Sequence, residues 1–491
     1  MAAYLKRLVS SLGAYQVPSI LQKILAVLLL PVYTGRIAPS GYGIVETLAT
    51  FVIFASIVVR FGVIEAFLRY YFVDRDGQQK DALVRRSMLF LVGTTTVACI
   101  ALVIPAGPMA HLITSENVPG AYRVSVLGIW SFTNLELAQA VLRVDERLKA
   151  YAIAGTTNVL VTVAASVVLV VGFNSGYIGL LIANYGTSTL VLFGLWWVLR
   201  RRWWSGRDNT GVQSFRTLFR FGLPTVPAEA SVYALSVIDR QYIIHNQGPS
   251  AAGRYAIAIK VASAIAFIVT AFQYAWPPLA YSVRDDAQAA RLYSLVTTYY
   301  VMFTGWVVAG LTLEGRYVIR ILAPHPGYFE AYQAIPWVSL GWALYGLWVV
   351  LLVIAGRAQV TRRNFPAALI GIIVNVLLLF LLVPSHGIAG AGVALCGAYV
   401  AMLTVMHLLV RRAFPVTFEW GRLGQLVLVY AGLAVAGELL LPESGFGGFV
   451  ARAAVFAAMP LVLWSIGFLH RAELDQGLAA VRKVRARMSA A

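Results

Sequence analysis

The sequence predicts an all-α polytopic membrane protein of about fourteen transmembrane helices, built as two six-helix lobes related by an internal parallel repeat, with two further helices after them. Three observations predict it. Of 491 residues, 59% are apolar and only 12% are charged, about half the charge of a soluble chain. The apolar residues gather into runs of about 20, the length an α-helix needs to cross the hydrocarbon. Basic residues cluster between alternate runs.

The runs are 13–33, 43–65, 86–106, 120–142, 150–172, 177–199, 218–245, 254–275, 293–313, 331–355, 365–383, 388–410, 424–441 and 449–469. Between them no loop is long enough for a soluble domain. With the first residues in the cytoplasm, the inside segments hold 29 basic residues and the outside segments six. That asymmetry alternates through all fourteen runs, as the positive-inside rule requires, and a wrong span count would break it. Both termini are therefore expected in the cytoplasm of a cell whose inner membrane holds the chain. The tail, with Arg482, Lys483, Arg485 and Arg487, reads either as a basic helix on the anionic inner leaflet or as a solvated tail.

The formal charge of +18 does not point to nucleic acid, because the chain carries no basic stripe with interleaved aromatics on a soluble domain. Cys99 and Cys396 lie in apolar runs and read as small core residues. Lys6 and Arg7 resemble a signal-peptide n-region, but the run that follows carries Lys23 and passes Pro31 without an A-x-A site, so no cleavable signal is expected.

A weak repeat recurs at about 213 residues. Gly13 and Val17-Pro18 correspond to Gly222 and Val226-Pro227. Ser40-Gly41-Tyr42 corresponds to Ala252-Gly253-Arg254-Tyr255. Asn158-Val159-Leu160 corresponds to Asn375-Val376-Leu377, and Gly176-Tyr177-Ile178-Gly179 to Gly387-Ile388-Ala389-Gly390. Six helices per repeat is an even number, so both copies share one topology and a substrate site is expected between them. The expected domains are an N-terminal lobe over 1–205, a C-terminal lobe over 206–412, two appended helices over 413–470 and a basic tail over 471–491. Trp203 and Trp204, in the segment joining the lobes, are placed to sit at headgroup level.

Ionisable groups within spans are expensive, and mark either a pathway or a buried pair. They are Lys23, Arg60, Glu65, Glu136, Glu229, Asp239, Arg240, Lys260 and Glu438. One reading pairs Asp239 with Lys260, each about 8 Å from the outer end of consecutive helices, and lets Arg60 snorkel inward. The other makes Lys23, Arg60, Arg240 and Lys260 a cationic cavity lining that binds an anionic headgroup such as a diphosphate, since Lys and Arg bind phosphate oxygens by charge-assisted hydrogen bonds. Lys23, near mid-membrane, is the hardest to explain as structure. Glu229 and Asp239 are candidates for gating or ion coupling, Glu229 as a substrate-free partner of Lys23. Glu136, with Asn134 and Gln139, reads as helix–helix glue, and Glu438 as an interface-facing acid. Pro224/Pro227 and Pro277/Pro278 are expected to break helices 7 and 8, as hinges or fixed kinks.

Several segments together resemble polysaccharide-biosynthesis flippases, the Wzx-type branch of the MOP superfamily. These are LQKILAVLLLPVYTGRIAPSGYGIVETL (Leu21–Leu48), FGVIEAFLRYYF (Phe61–Phe72), FGLPTVPAEASVYALSVIDRQYII (Phe221–Ile244), AGRYAIAIKVASAI (Ala252–Ile265), AFQYAWPPLAYS (Ala271–Ser282) and VNVLLLFLLVPSHGIAGAGVAL (Val374–Leu395). The resemblance covers residues from about 10 to 412. It implies a non-enzymatic transporter without cofactor, working by alternating access. Its substrate would be an oligosaccharide on a polyprenyl diphosphate, moved from the cytoplasmic to the outer leaflet. Membrane lipids, and a polysaccharide polymerase and glycosyltransferases, would be its partners. It favours Lys23, Arg60 and Lys260 as cavity residues, and allows a structural role for the Asp239-Arg240 step. It also suggests a lipid-facing role for the last two helices.

Two alternatives fit less well. A cation-coupled multidrug exporter of the same superfamily needs a deep carboxylate in a lobe, whereas helix 1 offers Lys23 and no acid. A membrane glycosyltransferase or polymerase needs a catalytic carboxylate or His on an outer loop. The outer loops are short, and His111, Glu116 and His325 form no constellation.

Overall fold

The computed structural model describes residue 18 and residues 21–72, 77–205 and 214–468. The basic tail, Lys6, Arg7, the start of the first run and the side chains of Trp203 and Trp204 lie outside the described residues.

The described residues are helical, and ten helices are long and apolar enough to cross a membrane. Two of these are pairs of spans joined without a loop. Thr225–Ser282 is interrupted at Gly248 (φ 81°, ψ 174°), and Asn364–Val410 at Gly387 (φ 54°, ψ −135°). At both joints φ is positive, which glycine adopts without a Cβ penalty. The spans are α1 (Leu21–Thr34), α2 (Pro39–Val59), α3 (Gly77–Val103), α4 (Pro119–Val144), α5 (Leu148–Val167, continued by a π-turn at Val168–Gly172) and α6 (Gly176–Ser205). They continue as α7 (225–247), α8 (249–282), α9 (Asp286–Leu322), α10 (Ile335–Arg357), α11 (364–386), α12 (388–410), α13 (Trp420–Leu440) and α14 (Gly445–Ser465). The protein is a multi-pass all-α membrane protein; splitting the two joined pairs makes twelve spans of the ten helices, and α1 and α4 bring the helical segments named here to fourteen. Pro277 and Pro278 do not break α8, which stays helical to Ser282. Pro224 sits instead in the turn before α7.

The chain forms two compact units. The first is Met1–Ile257 with Ile321–Glu330 and Val383–Ile388; the second is Ala258–Arg320, Ala331–Leu382 and Ala389–Ala491. In the first unit, Phe67, Leu83, Leu142, Leu192 and Leu218 are fully buried in one apolar cluster. Asn134 on α4 donates to Thr95 Oγ1 on α3 at 3.0 Å, and Thr133 donates to Ser56 on α2 at 2.8 Å. Large apolar side chains such as Leu190, Trp197 and Phe193 point outward, which suits lipid rather than water. Cys99 contacts the Val126 carbonyl oxygen at 3.2 Å, and Cys396, in the second unit, that of Trp337 at 3.0 Å; both are free thiols.

In the second unit α13 and α14 dock on α9. Trp306 stacks on Phe456 with ring centroids 4.5 Å apart, over Gly310, and the Tyr430 hydroxyl donates to the Met302 carbonyl oxygen at 2.8 Å. Arg452 of α14 has no exposed surface. It donates to the carbonyl oxygens of Leu313 and Pro442, and to Glu438 at 2.5 Å. Arg316 holds the other oxygen of Glu438 at 3.1 Å. Glu438 is thus a structural counter-ion and not a solitary interfacial acid. Removing one partner of a buried ion pair costs about 3–5 kcal/mol. Arg452→Ala is therefore expected to undock α13–α14, read as early proteolysis of the 410–468 segment in membranes, with Arg452→Lys restoring little because one ammonium cannot reach all of these acceptors.

Candidate functional site

Three carboxylates surround Arg60. This residue caps α2 and is followed by Phe61 and Gly62, both with positive φ (48° and 66°). The reversal starts a short helix, Val63–Tyr71, whose first turn carries Glu65. A Cβ at Gly62 would come 2.1 Å from the Gly222 carbonyl oxygen, so only glycine fits this turn. The turn folds Glu65 back towards Arg60, with Nη2 3.4 Å from Oε1. Nη1 donates to Glu136 of α4 at 2.8 Å, and Nη2 also donates to Glu229 of α7. Arg60 is 4% exposed, while the three glutamates keep about a third of their side-chain surface. Its Nε has no acceptor among the described residues.

A second ionic contact lies about 21 Å along α2, by helix rise. Glu46 accepts from Arg240 Nη1 of α7 at 3.3 Å, and Thr50 Oγ1 accepts from the same nitrogen at 2.6 Å. The early residue of α2 meets the late residue of α7, and the late residue of α2 meets the early one. The two helices therefore run antiparallel, tied near both ends. Backbone contacts accompany each tie. A Cβ at Gly43 would meet the Pro249 carbonyl oxygen at 2.0 Å, one at Gly253 would meet that of Pro39 at 2.0 Å, and one at Gly222 that of Gly62 at 2.4 Å. Close to the Glu46–Arg240 tie, Tyr328 donates to the Ile37 carbonyl oxygen at 2.8 Å and Arg254 pairs with Glu330.

The structure thus gathers Arg60, Glu65, Glu136 and Glu229 into one site, and puts Arg240 in a second with Glu46. Glu229 accepts from Arg60, and Glu136 serves the same cluster as well as lying beside the interhelical Asn134. Arg60 does not snorkel inward; its fork is buried among carboxylates. Asp239 is 3% exposed and accepts from the Tyr255 hydroxyl at 3.2 Å. Lys23 is exposed on α1 and Lys260 half-buried on α8. Glu46 was absent from the expected set. It falls in the first turn of the run 43–65, where an acid reads as a headgroup-level residue, and only the arginine 194 positions later gives it meaning. Among the described residues no group of three His, Cys, Asp or Glu side chains has the arrangement of a metal site.

The family model for "Polysaccharide biosynthesis protein" matches residues 9–281, more than half of the chain. The chain belongs to the polysaccharide biosynthesis protein family. Comparison with curated proteins finds no match. Among solved structures, a lipid II flippase MurJ in an inward closed conformation aligns with a TM-score of 0.72 at 14% identity, over 94% of this chain and 99% of that one. A multidrug resistance MATE family transporter of the MOP superfamily, in an inward-facing conformation, aligns at 0.63 and 12% identity, over 84% and 95%. A MOP superfamily transporter from Pyrococcus furiosus aligns at 0.52 and 12% identity, over 85% and 93%. At these identities the likeness establishes the fold, which this member of the polysaccharide biosynthesis family shares with the MOP superfamily. The Arg60 cluster and the Glu46–Arg240 pair both lie within the stretch the family model matches.

Proposed function

We propose that this protein is a flippase that carries a polyprenyl-diphosphate-linked oligosaccharide from the cytoplasmic to the outer leaflet by alternating access. The observation that carries the reading is Arg60. A nearly buried guanidinium sits among helices of a membrane protein that belongs to a polysaccharide-biosynthesis family. Its planar fork suits bidentate contact with phosphate oxygens. Three carboxylates hold it at rest. A diphosphate would compete with these carboxylates for the guanidinium, and two of those it displaces, Glu136 and Glu229, lie on α4 and α7. Lys23, Arg240 and Lys260 complete the proposed anion path, with Glu229 and Asp239 as its gating or ion-coupling acids. The division into lobes over 1–205 and 206–412, inner-membrane placement with both termini cytoplasmic, and partnership with a polymerase and glycosyltransferases belong to the same proposal.

One observation favours a second reading. Three carboxylates around one arginine are a suitable ion site for a cation-coupled multidrug exporter. Proteoliposomes separate the two. A flippase moves a fluorescent polyprenyl-diphosphate glycan between leaflets and ignores cationic drugs; uptake of a cationic dye with no lipid movement would reverse the assignment. Within the flippase reading, Lys23→Ala is expected to lower glycan export at least tenfold at normal protein level, measured by surface glycan and by immunoblot. Full export would remove Lys23 from the path.

A further inference from the structure

A polar cavity of about 710 Å³ lies at the other end of the first unit's helices from Glu46, lined by the start of α3, the ends of α4 and α6, and the residues closing the helix Val63–Tyr71. Its rear wall is an ionic clasp. Arg202 of α6 reaches Asp81 of α3 at 2.9 Å and Asp145, after α4, at 2.9 Å, and the Tyr71 hydroxyl donates to Asp145. Burial, with Asp145 as acceptor, pushes the Tyr71 phenol up to about 12. Each acid of the clasp is answered by Arg202. The same cavity is also lined by Lys80, Arg147, Arg201 and Glu146. Lys80 Nζ lies 4.9 Å from the centre of the Tyr71 ring, and Arg147 and Arg201 are exposed. Beside the cations stand Phe72 and Val198, both open to the surroundings at 70% and 50%.

This lining is amphipathic, with cations next to exposed apolar side chains at the end of a helix bundle. Arg85, Arg86, Arg143, Lys149 and Arg200 are near in sequence to these lining residues. A free phosphate would use the cations but leave the apolar edge in water. A lipid uses both, and basic pockets between transmembrane helices on the cytoplasmic side suit anionic headgroups. We propose that this cavity binds the phosphate of an anionic phospholipid of the inner leaflet through Lys80, Arg147 and Arg201, with the acyl chains passing Phe72 and Val198. Its cytoplasmic placement rests on the orientation given under the proposed function; the lipid contact itself requires no transported substrate.

The test uses the purified full-length chain. Native mass spectrometry after exchange from phosphatidylglycerol should show one retained lipid, and nanodiscs of phosphatidylglycerol should raise the melting temperature over phosphatidylcholine. The K80Q/R147Q/R201Q variant should lose about 100-fold in lipid affinity, from about 1 kcal/mol per cation. R147Q alone, at an exposed site, should lose part of it, and keeps the test open if the triple variant fails to fold. An R411Q/R412Q control, which removes charge elsewhere, should bind like the parent. Equal lipid retention in R147Q and the parent would overturn the proposal. So would millimolar inorganic phosphate giving the same stabilisation in phosphatidylcholine, since the ligand would then be a free anion. Absence of flippase activity in the parent protein, with lipid retention intact, would count against the proposed function and leave this site standing.

Discussion

Replacing Arg60 by alanine is expected to abolish glycan export and to destabilise the protein together. Without the guanidinium, Glu65, Glu136 and Glu229 face one another with no counter-charge. Like charges brought this close repel one another. Breaking a buried ion pair by deleting one partner costs about 3–5 kcal/mol, and the partial exposure of the glutamates places the cost towards the lower end. Arg60→Lys should recover part of the stability and little of the export, because a single ammonium cannot reproduce a fork that touches carboxylates on three elements. The cluster can also be neutralised from the other side. Arg60→Ala combined with Glu136→Gln and Glu229→Gln should restore the melting temperature towards the parent value while export stays absent. Melting of the purified protein and surface glycan in cells check the two arms. Recovery of export along with stability would make Arg60 purely structural.

The second large effect is expected at Gly43 and Gly253. The backbones here approach so closely that a side chain on either residue overlaps a carbonyl group of the other segment. Such contacts between small residues let membrane helices pack by their backbones, and a Val at either position must hold this end of α2 apart. Under the proposed alternating-access cycle, Gly43→Val or Gly253→Val should cut export at least tenfold, because this contact can no longer form. In a background lacking Cys99 and Cys396, a cysteine placed at Ile37, which is 3% exposed, should become labelled by an impermeant thiol reagent in Gly43→Val cells only. Unchanged export in Gly43→Val would show that closure at this contact is dispensable.

The span pattern was legible because hydropathy and basic-residue placement act locally along the chain. Even the two joints without loops, at Gly248 and Gly387, fall between the expected runs 218–245 and 254–275, and 365–383 and 388–410. The partners were not legible. Hydropathy gives the depth of a residue in the bilayer but not the side of the helix it occupies. Arg60 and Glu229 are 169 positions apart, and Arg240 and Glu46 are 194 apart. An intramembrane arginine therefore reads as a free cation when taken by depth alone. Counting acids as well as bases along α2 would have paired Glu46 with a late residue of an antiparallel helix. The cavity behind Tyr71 was hidden for the same reason: it draws on four separated stretches of chain, each of which reads alone as a cytoplasmic basic loop.

The central claim, that the protein moves a lipid-linked glycan across the bilayer, is tested most directly by the leaflet distribution of that lipid in cells lacking the protein. Spheroplasts are treated with an impermeant glycosidase or lectin, and the polyprenyl-diphosphate glycan is extracted and quantified. The account predicts that the glycan accumulates in the protected, cytoplasmic leaflet and becomes accessible again when the gene is restored, but not when Arg60→Ala is supplied. Equal accessibility in the presence and absence of the protein would contradict it.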